Sequence, residues 1–99
     1  MNKLMVEPRH MEMLLDIFKS YCPNSEIWAY GSRLDGSAHA GSDLDMTVKT
    51  CDEQFKLYEL KSRLSDSNIP FLLDINVFDD LPESFQKEIL KNYVVIHKG

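Results

Sequence analysis

Two aspartates one residue apart, Asp43 and Asp45, lead into the apolar stretch Met46, Thr47 and Val48, and a Gly-Ser pair, Gly31 and Ser32, stands upstream of them across residues 33–42. In an extended chain, side chains alternate between faces, so both carboxylates project to one side, about 7 Å apart along the backbone. Like charges held that close repel unless a cation joins them. Magnesium suits such a pair, because it binds through one or two carboxylates and leaves the rest of its octahedron to water and substrate phosphates. Gly31 and Ser32 supply the complementary half, since they end the apolar and aromatic run Ile27, Trp28, Ala29, Tyr30. Glycine lets a backbone approach an anion closely, and a helical turn starting there would aim its unpaired amides at that anion. A metal site facing a phosphate site predicts a nucleoside triphosphate.

Elements of the right type surround these residues. The first strand is expected over 26–30 and the second over about 43–49, with residues 33–42, rich in Gly, Ser and Ala, forming one or two helical turns and a flexible loop that carries His39. A third strand is expected over 71–78, in which Leu73, Ile75 and Val77 share one face while Asp74 and Asn76 share the other. A carboxylate in so apolar a strand is costly to bury unpaired, which makes Asp74 a candidate third acid. Pro8 opens a helix ending at Pro23 whose buried face carries Met11, Leu14, Leu15, Phe18, Tyr21 and Cys22. A second helix is expected from Asp52 as cap to about Ser65, with Phe55, Leu57, Tyr58, Leu60 and Leu64 as its stripe. A last helix runs from Pro82 to about Asn92 with Leu81, Phe85, Ile89 and Leu90 inward; Asp79 and Asp80 before it read as loop and cap, and Val94 to Ile96 as an edge strand or an extended tail. The order predicts an α/β (α+β) fold, a small mixed β-sheet of three or four strands with helices packed against it.

Ninety-nine residues predict one domain, 1–99, with room for a single core. With 43% hydrophobic and 27% charged residues, neither disorder nor a membrane span is indicated. The N-terminal Met-Asn-Lys-Leu-Met-Val-Glu-Pro is too short and polar for a signal peptide, so the expected compartment is the cytoplasm. Cys22 and Cys51 lie far apart outside any Cys-x-x-Cys pair, and His10, His39 and His97 are scattered, which argues against a zinc or redox centre. A net charge of −5 opposes general nucleic-acid binding, which depends on basic side chains neutralising phosphates.

Gly-Ser, residues 33–42, then Asp-Leu-Asp is also the signature of the polymerase-beta-type nucleotidyltransferases. Over nearly its whole length the chain resembles the minimal nucleotidyltransferases, small partners of HEPN-domain proteins. The resemblance implies that Asp74 stands beside Asp43 and Asp45, that the three are the catalytic and metal-binding residues for two Mg2+ ions, and that Asp74 serves the attacking hydroxyl. It implies that Gly31 and Ser32, with Arg33 as an added contact, bind the phosphates of ATP. Asp35 departs from the pattern, since many members carry a basic residue there. Larger relatives have a second domain over the nucleotide, so half a site implies a partner chain. By resemblance this is a HEPN-domain toxin, with the present chain as antitoxin transferring AMP to a tyrosine of that toxin.

Two other functions fit the same residues. The chain would be a binding module that neutralises its partner by occlusion, or a nucleotidyltransferase for a small molecule such as an aminoglycoside, completed by a helical partner subunit. Asp43-x-Asp45-x-Thr47 also matches the haloacid dehalogenase phosphatases, but there the first aspartate ends a hydrophobic strand, whereas here the apolar run follows it. The absence of Gly-Lys-Ser or Gly-Lys-Thr excludes a P-loop.

Overall fold

The computed structural model describes residues 6–31, 43–50 and 56–98. Helix α1, Pro8–Tyr21, begins with proline in its first turn, where a missing N–H costs nothing. It ends where Pro23 forbids a further turn, and the Cys22 N–H caps it by donating to the Phe18 carbonyl at 2.8 Å. Strand β1, Glu26–Tyr30, follows, then β2, Leu44–Thr50, helix α2, Leu57–Ser65, and β3, Leu73–Val77. A single 3-10 turn, Phe78–Asp80, leads to helix α3, Glu83–Lys91, and strand β4, Tyr93–His97.

The four strands form one mixed sheet in the order β3-β2-β1-β4. β1 runs antiparallel to both β2 and β4, while β2 and β3 are parallel. A parallel pair needs a crossover connection, and α2 lies within it. β1 is central in the sheet and buried from Ile27 to Tyr30 because both its faces are covered. On one face Ile27, Ala29, Met46 and Ile75 pack against Leu14 and Phe18 of α1 and Leu60 of α2. On the other, Trp28, Tyr30, Phe78 and Ile89 form a smaller cluster beneath α3. The Gln86 side chain ties that helix down, donating to the carbonyls of Phe78 at 2.9 Å and Leu81 at 3.1 Å.

The expected order of elements holds where it is described, and the terminal segment is an edge strand rather than a tail. The short helix and loop expected over 33–42, with His39, lie outside the described residues, as do Asp52, Phe55 and Cys51. Several details differ. α2 begins at Leu57, after an extended Lys56. β3 is shorter than the apolar run, since Phe78 turns away into the 3-10 helix. Asp79 and Asp80 sit exposed in that turn and do not cap α3, whose N-cap is Pro82. Tyr21, Tyr58, Phe85 and Leu90 are exposed rather than inward. In α2 the seam is Leu57, Leu60 and Leu64, which leaves Tyr58 a quarter-turn off it, and the nine-residue α3 buries only Ile89.

Candidate active site

The smaller, polar patch of the sheet lies on the α3 side, at the end where β1 finishes and β2 and β3 begin. Tyr30 pairs with Asp45 across the β1–β2 ladder, and Asp45 pairs with Asp74 across the parallel β2–β3 ladder, so the three side chains stand in one row on one face. Adjacent strands in a sheet lie about 4.8 Å apart, so the parallel pairing makes Asp45 and Asp74 direct cross-strand neighbours. Asp43 is the residue before β2 and is exposed; Asp45 is half-buried and Asp74 exposed.

The charges interact. Burial pushes the Asp45 carboxyl above the usual aspartate range, and the Asp74 and Asp43 carboxylates push it further in the same direction. A cation would relieve that repulsion. The donors fit a hard divalent ion, being carboxylate oxygens carried on adjacent strands. Among the described residues no three His, Cys, Asp or Glu side chains close into a metal cage of their own, and magnesium, which takes much of its octahedron from water and phosphate, does not require one.

Gly31 closes the row. Its φ is +93°, a conformation that favours glycine, and a Cβ there would lie 2.6 Å from the Asp45 Oδ2. The glycine therefore lets the chain leave β1 directly over the carboxylate. Ser32 and Arg33, the other residues expected to hold phosphate, lie outside the described residues.

Two side chains complete the face that sequence reasoning did not assign to the site. The Asn76 Nδ2 donates to the Tyr30 hydroxyl at 3.3 Å, bridging β3 to β1 above β2, and the Thr47 Oγ1 donates to the Asn76 carbonyl at 3.3 Å. Burial raises the Tyr30 phenol above its ordinary range; the hydrogen bond from Asn76 opposes this, and the charges of Asp45 and Asp74 add to it. The phenol is thus held neutral beside the acids. A two-residue alternation was the available signal, since Asn76 follows Asp74 by two and Tyr30 adjoins Gly31.

Two cavities lie near these residues. One, of about 260 Å³, opens beside Gly31 and Tyr30 beneath α3. The other, of about 460 Å³, lies by Asp43 and is walled by Lys61 of α2 and residues Phe71, Leu72 and Leu73, of which Leu72 is 72% exposed.

Comparison with known proteins agrees with this geometry. Residues 12–98 match the family model described as polymerase beta, nucleotidyltransferase. The chain is 30% identical over 98 residues to the "Probable protein adenylyltransferase MntA" of Haemophilus influenzae, covering 97% of this chain and 86% of that one. Its fold is similar to a chain of a solved structure described as "Crystal structure of the toxin-antitoxin with AMP-PNP", with a TM-score of 0.71 at 17% identity, over 90% of this chain and 73% of that one. With the family model spanning most of the sequence and the acids of β2 and β3 in register, the chain belongs to the polymerase beta nucleotidyltransferase family and is a nucleotidyltransferase.

Proposed function

We propose that the chain is a magnesium-dependent protein adenylyltransferase that transfers AMP from ATP to a tyrosine hydroxyl of a HEPN-domain toxin and so acts as its antitoxin. The observation that carries this reading is the cross-strand row of Asp45 and Asp74 closed by Gly31. The similarity to a protein adenylyltransferase over nearly the full length supports the choice of a protein acceptor.

In this reading Asp43, Asp45 and Asp74 would hold magnesium, and Asp74 would also serve the acceptor hydroxyl. Bound magnesium supplies charge neutralisation of the triphosphate. The backbone at Gly31, with Ser32 and Arg33, grips the β and γ phosphates. In-line displacement puts the attacking and leaving oxygens on opposite sides of the α phosphorus. With the phosphate tail towards β1, the acceptor comes from the β3 side. The acceptor oxygen forms its bond to the α phosphorus as the bond to the pyrophosphate oxygen breaks, and the hydroxyl proton passes to the Asp74 carboxylate and on to water. Tyr30, held neutral by burial, adds no negative charge to the floor under the phosphates.

Incubation with the partner, magnesium and ATP labelled on the α phosphate tests this. Label should appear on the partner and be lost with Asp43→Asn, Asp45→Asn or Asp74→Asn. No transfer by the wild type, or transfer by Asp43→Asn at the wild-type rate, overturns it.

A further inference from the structure

The cavity of about 260 Å³ at the β1 end of the row is lined by Tyr30, Gly31, Phe85, Glu88, Ile89 and Asn92. It lies on the carboxylate face, because Tyr30 is the register partner of Asp45, and it opens at the glycine that begins the phosphate turn. Its volume is below the roughly 300 Å³ at which pockets for whole drug-sized ligands begin, so it accommodates a ring system while a sugar and phosphates stay outside.

The lining has the chemistry of a base site. Phe85 is 41% exposed although the sequence marks it as a core residue. Its ring stands edge-on to Tyr30, with centroids 5.8 Å apart and planes at 81°, which fixes the ring and leaves it available at the cavity. An exposed, pre-positioned aromatic ring is a stacking platform for any nucleobase. Asn92 is the C-cap of α3, and its backbone N–H donates to the Ile89 carbonyl at 3.1 Å. Asn92 lines the cavity, and its side-chain amide carries one donor group and one acceptor. Glu88 offers a carboxylate on the same helix, paired with the Lys91 ammonium at 3.0 Å.

We propose that this cavity is the purine subsite of the enzyme, with Phe85 stacking on the base and Asn92 and Glu88 reading its hydrogen-bonding edge. The assignment rests on the nucleotidyl-transfer reading above, and it goes further by naming which part of the nucleotide lies against α3 and which residues choose it. An asparagine amide matches the paired donor and acceptor of adenine, and a carboxylate matches the N–H groups that guanine presents. Both purines share the stacking surface, and a pyrimidine offers less of it.

The test is calorimetric titration of the full chain, in magnesium, with non-hydrolysable analogues of ATP, GTP and CTP and with inorganic tripolyphosphate. A purine analogue should bind at least tenfold tighter than tripolyphosphate and more tightly than the CTP analogue. Phe85→Ala and Asn92→Asp should remove most of that margin, on the order of tenfold for the stacking residue, and leave the tripolyphosphate affinity unchanged. Phe85→Trp, which keeps a stacking face, should retain it. Preference for the ATP analogue assigns the choice to Asn92, and preference for the GTP analogue assigns it to Glu88. The proposal is overturned if the two variants, shown folded by their melting curves, bind purine nucleotides like the wild type, or if CTP and ATP analogues bind alike. Base-dependent binding without label transfer to a HEPN partner would sink the acceptor assignment while leaving this subsite in place.

Discussion

Replacing Gly31 by alanine separates the architecture of the site from its charge. Two costs arise. The first is conformational: φ at this position is +93°, and holding an L-residue in a sparsely populated region of that kind costs about 1–3 kcal/mol. In a domain of this size each kcal/mol lowers Tm by roughly 4–8 °C. The second is steric. The added methyl would lie 2.6 Å from the Asp45 Oδ2, while the Asp45 Cγ and Cβ remain at ordinary contact distances of 3.5 and 3.6 Å. Only the tip of the side chain must move, so the clash is relieved by rotating the carboxylate at little cost in stability. That rotation displaces the carboxylate proposed to hold magnesium, and a misplacement of about 1 Å in an active site costs about a hundredfold in rate. Gly31→Ala should therefore stay folded, melt lower by roughly 4–24 °C for a loss of about 1–3 kcal/mol, and lose about two orders of magnitude in kcat. Asp45→Asn, which leaves the glycine untouched, should be inactive without that loss of stability. Melting curves and single-turnover transfer on the same preparations measure both quantities. A Gly31→Ala protein with near wild-type kcat would refute the claim that the backbone passes over a positioned carboxylate.

Two further outcomes follow from the same face. The Asp45 carboxyl is raised in the folded protein, so its protonated form is favoured there. Its contribution to stability is full below the unfolded aspartate value and is lost as pH rises through the folded one. Without metal, the Tm of Asp45→Asn should exceed that of wild type near neutral pH, the gap should close on acidification, and magnesium with a non-hydrolysable nucleotide should reverse it. Parallel Tm profiles for the two proteins across that range would contradict the charge crowding. Tyr30→Phe strands the Asn76 amide, which donates to the lost hydroxyl. It should lower stability by about 1 kcal/mol in denaturant titration, whereas an unchanged midpoint would show the bridge to be idle.

How much of this was legible beforehand differs from residue to residue. Proline positions bounded α1 well, because a ring that fixes φ and lacks an N–H acts locally. The alternation that set Asp74 and Asn76 apart from Leu73, Ile75 and Val77 was readable for the same reason, as a strand's two faces are decided by neighbouring residues. Phe85 and Leu90 were misread as core, since an apolar residue reports what it prefers and not whether another element arrives to cover it. Tyr30 gave no sign of its partner, since a hydrogen bond to Asn76 joins strands that are not adjacent to each other in the sheet.

By itself the sequence determined the element on which each candidate residue stands: the glycine ending a strand, two acids flanking the start of the next, and a third inside a later one. Only the tertiary structure decided that β3 pairs parallel with β2, bringing Asp74 level with Asp45, and that α3 folds over β1 to wall a cavity beside Gly31. Periodicity is a property of neighbouring residues, whereas strand order and register come from hydrogen-bond ladders and burial between segments far apart along the chain.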